Sequence, residues 1–336
     1  MKNPQVSIIM PVYNSSSYVG EAISSVLNQS HTDFEFLIID DCSTDDCVSV
    51  IKKFSDHRIK FYQNEKNLGY IKSLNFLLSE CKGEYIVRHD NDDFSSSDRI
   101  LNQVNFLQKN DDHLICGSNC RVFGRNQAVS FLPQTDAECR VYMIFNSPFY
   151  HPSVCFSRKV FYHYNLFYNS ELMPAEDYDM WMNISKFGKM ANLQSIEFNL
   201  RTHDNNTSLL NSQRQKKILL VLREKYFNEI LNLKIQENEN NLLSGITYNS
   251  YFTNIEINQI ENLFSKIITS NFENDILNKS DLDFWLLYFW TKVCFKNLRS
   301  KNLLTQLLIY FRSPIFKIIS FLHLSKRLII HKLKYN

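Results

Sequence analysis

Apolar residues come along the first hundred positions in two alternating rhythms. Val6 to Val12 and Phe34 to Ile39 are near-continuous apolar runs of strand length, with shorter ones at Ile59 to Tyr62 and Tyr85 to Val87, the pattern of strands covered on both faces. Between them Val19, Ala22, Ile23, Val26 and Leu27, then Val48, Ile51 and Phe54, then Ile71, Leu74 and Leu78 recur at helical spacing. Polar punctuation falls at the joints: Ser15 to Ser17 and Ser43 to Asp46 offer helix caps, Asn67-Leu68-Gly69 makes a turn, and Gly83 leads into a strand. Strand and helix in strict alternation predict an α/β fold, a Rossmann-like, doubly wound and mostly parallel sheet.

Further on the rhythm loosens. Leu114 to Phe156 reads as short apolar pieces broken by Gly117, Gly124 and Pro133, with a capping box at Thr135 to Glu138 and a strand at Val154 to Phe156. Met180, Trp181 and Ile184 share a helix face that Gly188 ends, and Ile196 to Leu200 is one more strand. Beyond Leu209 helices take over: one from about Gln213 to Leu233, a polar Asn-rich stretch near Glu237 to Asn241, then the tail. The expected division is an α/β domain over 1–210, with a change of pattern near 112/113, and a helical region over 211–336.

Strand ends are where such sheets bind ligands. Tyr13-Asn14, Asp40-Asp41 and Asp90 to Asp93 all fall there, on one edge. Asp90 and Asp92 are two apart, so in an extended segment both leave the same face and can share a divalent cation. An acidic solvated turn, with Ser95 to Ser97 capping the next helix, is the plainer reading of that stretch alone. The chain has only seven glycines, no G-x-G and no Walker motif. A bound nucleotide must therefore have its phosphates neutralised otherwise, and a metal held by carboxylates is the evident substitute.

The runs Val-Ser-Ile-Ile-Met-Pro-Val-Tyr-Asn, Ile-Ile-Asp-Asp-Cys-Ser-Thr-Asp and Gly-Glu-Tyr-Ile-Val-Arg-His-Asp-Asn-Asp-Asp, in that order and spacing, resemble the family 2 inverting glycosyltransferases with the GT-A fold. The resemblance covers roughly residues 4 to 210 and implies a catalytic domain over 1–210, with a nucleotide-sugar half over about 1–112 and an acceptor half over 113–210. It implies that Asp90-Asn91-Asp92 is the D-x-D motif bringing Mn²⁺ or Mg²⁺ to the donor diphosphate, with Asp92 the direct ligand and Asp90 nearer the ribose. It implies Tyr13 stacked on uracil, Asp41 beside Asp40 accepting from the uracil ring, and hence a UDP-sugar donor. Cys42 departs from the pattern, which often has Gly after the acidic pair. Ala175-Glu176-Asp177-Tyr178 resembles the E-D motif, which makes Asp177 the catalytic base and Glu176 its neighbour or a contact to the acceptor; acidic residues placed at a helix start for the dipole are the structural alternative. His203, after Arg201-Thr202, matches a ligand of the metal or diphosphate, or is an incidental loop histidine, with Asn205 to Ser208 resembling a loop over the donor. His151 matches a position near the donor sugar or serves a strand edge. Lys72 reads as a solvated helix lysine.

The activity so implied is inverting transfer of a hexose or N-acetylhexosamine from a UDP-sugar to a glycan hydroxyl. The nearest resemblance is to transferases of bacterial lipopolysaccharide, lipooligosaccharide and capsule synthesis, including those moving galactose or N-acetylgalactosamine, with a lipid-linked acceptor. A sugar-nucleotide pyrophosphorylase uses a similar domain but needs a Gly-rich phosphate loop, and a non-catalytic membrane-attached scaffold that keeps the fold is a further alternative.

Charge and cysteine usage refine the setting. The formal charge of +2 argues against a general nucleic-acid binder, yet from Phe284 to Asn336 there are ten Lys or Arg and no Asp or Glu. Wound as a helix, Ile315 to Leu333 carries an apolar and a basic face, after Pro314, which suits either an anionic membrane surface or packing on the catalytic domain. Eight cysteines without a C-x-x-C pair point to reduced thiols. With no evident signal peptide and no run near the roughly 20 apolar residues of a spanning helix, the expected location is cytoplasmic, peripheral on the inner membrane.

Overall fold

The computed structural model describes residues 3–204 and 211–297, the side chains of 295 and 297 excepted. The chain divides into two compact units: one holds the described residues up to 134 and from 149 to 215, the other those from 135 to 148 and from 216 on. The Asn205 to Ser208 loop and the Ile315 to Leu333 helix lie outside the described residues.

The first unit is built on one mixed sheet. Its strands are β1 (Val6–Val12), β2 (Phe34–Asp40), β3 (Ile59–Gln63), β4 (Tyr85–Arg88), β5 (Phe94–Ser95), β6 (His113–Gly124), β7 (Ala128–Val129), β8 (Cys155–Ser157) and β9 (Lys189–Thr202). Their order is β3-β2-β1-β4-β8-β6-β9-β5, with β7 on the side of β6. The half formed by β3, β2, β1 and β4 is parallel, so the four strands end on one edge. Helices α1 (Val19–Leu27), α2 (Cys47–Ile51), α3 (Tyr70–Glu80) and α4 (Arg99–Lys109) follow β1, β2, β3 and β5 in the chain. Val6, Ile8, Met10 and Val12 of β1 share a buried cluster with Ala22, Ile23 and Val26 of α1 and with Ile100 and Val104 of α4. Each such side chain removed from water contributes roughly 1.5–3 kcal/mol, which makes this half a rigid base for the loops at its edge.

Pro11 stands inside a central strand, where proline removes a ladder donor. It is accommodated because the β1–β4 pairing stops at Ile9 and Arg88, and the Pro11 carbonyl accepts from Asn91 Nδ2 at 3.0 Å instead. The strand ends of β1 and β4 are thereby joined through the middle residue of the D-x-D stretch.

Three elements differ from expectation. The Ser-rich turn after Asp93 contains β5, whose two residues pair antiparallel with Asn199 and Phe198 of β9. Of the broken pieces between Leu114 and Phe156, those up to Gly124 join across Gly117 in one twelve-residue strand, β6, whose polar Asn119 is buried and bonded to Ser130 and to the Leu132 N–H. Ser15 to Ser17 do not cap α1 by side chains; the Ser15 carbonyl accepts from the Tyr18 and Val19 N–H groups.

The first unit also holds α6 (Lys159–Tyr162) and α7 (Glu176–Ile184). The second unit is helical: α5 (Asp136–Tyr142), α8 (Ser212–Glu229) from Lys216 on, α9 (Glu237–Thr247), α10 (Asn254–Asn274) and α11 (Lys279–Asn297). Thr135 caps α5 by accepting from the Glu138 N–H. The Asn-rich stretch is the start of α9, wound because Gln236 and Glu239 make a reciprocal capping box. Leu282, Phe284 to Leu287, Phe289, Trp290 and Val293 of α11 are all buried, so this helix is apolar on every side and central to its unit. Buried Arg223 ties it together by donating to the Phe145 carbonyl, the Asn240 side chain and the Thr247 hydroxyl. No helix among the described residues is long and apolar enough to cross a membrane.

Candidate active site

The loops leaving β1 and β2 are stitched together. Asn14, at φ 47°, accepts from the Thr44 N–H at 2.8 Å and donates its own N–H to Ser43 Oγ, while Asp45 Oδ2 accepts from the Ser16 N–H. Cys42 lies at φ 62°, a left-handed conformation that glycine adopts without strain, so the turn is one a glycine would also fit. Tyr13 presents its ring at the rim, 47% exposed. Asp40 and Asp41 are both buried. Asp40 accepts from the Ser43 N–H and from Gln63 Nε2. Asp41 accepts from Asn64 Nδ2 at 2.7 Å and from the Leu68 and Gly69 N–H groups at 2.9 Å, a turn that needs Gly69 at φ 89°.

At the end of β4 the carboxylates of Asp90, Asp92 and Asp93 lie with ligand oxygens within 4.8 Å of one another. Burial raises the Asp90 carboxyl above its ordinary range against the pull of Arg88, whose Nη2 is 2.6 Å from Asp90 Oδ1. Asp93 is pushed well above the usual range by burial and by its two acidic neighbours. Three carboxyls so close repel one another, and a divalent cation relieves that repulsion, so the donor set fits a hard metal taking oxygen ligands. The short β5–β9 pairing brings the end of β9 alongside: the Arg201 N–H donates to Asp93 Oδ1 at 2.6 Å, Arg201 Nε to the Asp92 carbonyl at 2.9 Å, and His203 Nε2 sits 2.9 Å from Asp92 Oδ2. The His203 ring stacks on Tyr18 at 5.2 Å, and Arg201 lies over Tyr18 and pairs with Glu21.

The second acidic group opens α7. Glu176 is buried, and that burial with the charge of Asp177 lifts its carboxyl to about 8. Its Oε1 lies 3.8 Å from His151 Nδ1. Asp177, the next residue, is half-buried. His151, on a 3₁₀ turn before β8, touches Tyr168 Oη through Nε2 at 2.8 Å and Tyr70 Oη through Nδ1 at 3.3 Å; Tyr70 Oη in turn accepts from Arg88 Nη2. Asp90 and Glu176 are thus linked by a run of side chains.

Of the residues singled out in the sequence, Asp90, Asp92 and His203 come together directly, Tyr13, Asp40 and Asp41 occupy neighbouring loops on the same edge, and Glu176 joins Asp90 through Arg88, Tyr70 and His151. Lys72 is exposed on α3. Arg88, Tyr70 and Tyr168 were not singled out. An arginine closing an otherwise apolar strand, Tyr-Ile-Val-Arg, was the available signal; the tyrosines, far apart in sequence, gave none.

A mostly parallel sheet with stitched loops and an acidic cluster at its carboxyl edge is the layout of the GT-A fold. The model of glycosyl transferase family 2 matches residues 7–170, and the chain belongs to that family. It is 30% identical over 279 residues to an uncharacterized glycosyltransferase of Haemophilus influenzae, an alignment covering 74% of this chain and 86% of the relative. Among solved structures it resembles S. aureus TarS 1-349 in complex with UDP-GlcNAc, with a TM-score of 0.58, 18% identity, and coverage of 87% of this chain and 89% of the other. It also resembles the mannosyltransferase PcManGT of Pyrobaculum calidifontis in complex with GDP-Man and Mn²⁺, with a TM-score of 0.54, 14% identity, and coverage of 99% and 87%.

Proposed function

We propose that this glycosyltransferase moves a hexose or N-acetylhexosamine from a UDP-sugar to a hydroxyl of a glycan acceptor, with inversion and with a divalent metal. The observation that carries the reading is the Asp90, Asp92 and Asp93 cluster with His203 on Asp92, set on the strand edge that also bears Tyr13 and Asp41. Asp92, with Asp90 and His203, is the set to hold Mn²⁺ or Mg²⁺; Tyr13, Asp40 and Asp41 serve the nucleobase, and Asp90 also faces the ribose. The cation, when bound, supplies Lewis-acid stabilisation of the leaving diphosphate. Asp177 accepts the proton of the attacking hydroxyl, which a sugar alcohol cannot shed unaided at neutral pH. Glu176, carrying its own proton at neutral pH, supports that site without competing as a base. Similarity to structures holding UDP-GlcNAc or GDP-Man with Mn²⁺ supports a metal-assisted nucleotide-sugar donor.

The acceptor in this reading is lipid-linked, in the synthesis of bacterial surface polysaccharide or lipooligosaccharide, and the catalytic domain spans residues 1–210. The basic tail within 211–336 holds the protein on an anionic cytoplasmic membrane face, each basic residue near such a surface contributing roughly 1 kcal/mol. Incubating the protein with UDP-glucose, UDP-galactose, their N-acetylated forms and GDP-mannose, with Mn²⁺ and with excess chelator, tests the chemistry. Acceptor-dependent UDP release that chelator abolishes is expected; turnover undiminished in chelator overturns the metal assignment. Flotation on anionic and neutral liposomes, with the full chain and a form ending at residue 297, tests the tail. A full-length protein that never floats removes the membrane assignment.

A further inference from the structure

Arg88 is 3% exposed, yet its guanidinium has two acidic neighbourhoods to serve. Nη2 pairs with Asp90 and also donates to Tyr70 Oη, and the Arg88 charge favours ionisation of both Asp90 and Glu176. The backbone beneath is fastened independently: Arg99, fully buried, donates Nη2 to the Arg88 carbonyl at 2.9 Å and to the Pro152 carbonyl at 2.8 Å, pinning the end of β4 to the turn that carries His151. His151 packs edge-on against Trp181 of α7 at 5.8 Å, so the same turn also abuts the helix that carries Glu176.

Donor and acceptor accounting leaves two directions for the run, and the Arg88 charge selects one, because a cation at one end turns the O–H and N–H dipoles away from itself. Arginine has no acceptor, so Arg88 must donate to Tyr70 Oη. Tyr70 keeps its own hydroxyl proton for the acceptor within reach, His151 Nδ1. A neutral imidazole with Nδ1 accepting carries its proton on Nε2, which donates to Tyr168 Oη. The Tyr168 proton is the outgoing end, on a phenol that lies within reach of the acidic pair Glu176 and Asp177, away from the Arg88 cation. Burial and the Arg88 charge hold His151 well below its ordinary range, in keeping with a neutral ring.

We propose that Arg88, Tyr70, His151 and Tyr168 form a one-directional hydrogen-bond relay that holds His151 as the neutral Nε2–H tautomer and positions the α7 acidic pair against the Asp90 end of the site. These are positioning residues: they act on transfer through Glu176 and Asp177, and the proposal rests on the transferase reading above for its kinetic consequence.

The test removes single hydroxyls. Tyr70→Phe and Tyr168→Phe are each expected to lower kcat about tenfold with the donor KM within about twofold and the melting temperature unchanged. Because both act through one ring, the double variant should lose little more than either alone. Independent, multiplying losses, or losses confined to KM, overturn the relay. Nitrogen-15 shifts of His151, assigned by comparison with His151→Gln in otherwise wild-type protein, read the tautomer without turnover. The Nε2–H form is expected; an Nδ1–H or doubly protonated ring overturns the proposal even if no UDP-sugar is consumed. Wild-type protein that turns over no nucleotide sugar instead sinks the transferase reading and leaves the imidazole measurement to decide the relay.

Discussion

The two acidic groups of the site are made of the same side chains and held in opposite ways. At the end of β4, three carboxylates crowd on a loop fastened by cations and backbone donors: Arg88 on Asp90, the Arg201 N–H on Asp93, His203 on Asp92. At the start of α7, Glu176 lies 3.8 Å from His151, whose ring packs on Tyr168 and Trp181, and its carboxyl is raised to about 8 by burial and by Asp177. One environment gathers charge that a cation can neutralise. The other keeps one carboxyl protonated beside another that is half-buried. In the proposed reading, environment more than residue type separates a metal-holding role from proton transfer.

That contrast can be broken first where it is strongest. Asp92→Asn takes a charged ligand from the crowded group, and activity is expected to fall about 10⁴-fold together with Mn²⁺-dependent UDP affinity, read by UDP release and calorimetry. Asp177→Asn keeps the shape and removes the proposed proton acceptor. Here kcat should fall about 10³-fold while UDP affinity in Mn²⁺ stays as in the wild type. If the two variants fail in the same way, the division of labour between the groups is wrong.

Glu176→Gln sharpens the comparison by a smaller effect. A glutamate that titrates at about 8 is mostly protonated at pH 7, so glutamine imitates it and the rate should drop less than about fivefold. A crippling loss there, with Asp177→Asn nearly silent, would reverse the two assignments. Stability provides the last and smallest readout. The folded protein holds the Glu176 proton more tightly than the unfolded chain does, so that stabilisation is complete below about pH 4.5 and is lost as pH rises through about 8, by at most roughly 1.4 kcal/mol per pH unit. Thermal melts of Glu176→Gln between pH 5 and 8 should therefore slope downward less than those of the wild type; parallel curves would show that Glu176 is not held protonated.

The parallel half of the fold was legible because its strands are buried on both faces and announce themselves as unbroken apolar runs, as at Val6 to Val12 and Phe34 to Ile39. The expected helices of α1 and α3 appear where the spacing placed them. The mixed half, where β6 runs parallel to β9 and antiparallel to β8, was less legible. Asn119 and Ser118 are polar and fully buried in β6, which breaks the apolar signal although their strand continues. A two-residue strand such as β5 is shorter than any periodicity can register. The acidic motifs were visible as local words. Their connection was not, because Tyr70, Arg88, His151 and Tyr168 meet only through the folding of α3, β4 and the turn before β8.

Phe94 and Ser95 matter beyond their length. They lock the chain just after Asp92 and Asp93 into register with Phe198 and Asn199, a few residues before Arg201 and His203. Side chains alternate along a strand, so a slip of one residue there turns His203 away from Asp92. The pairing works like the notch of a ruler: insertions elsewhere on this edge shift a loop, while one inserted residue between 95 and 93 or between 199 and 203 misaligns the cluster at once. Swapping loops between related transferases to change what they transfer should therefore leave 90–95 and 198–203 at native length, and vary the chain around them.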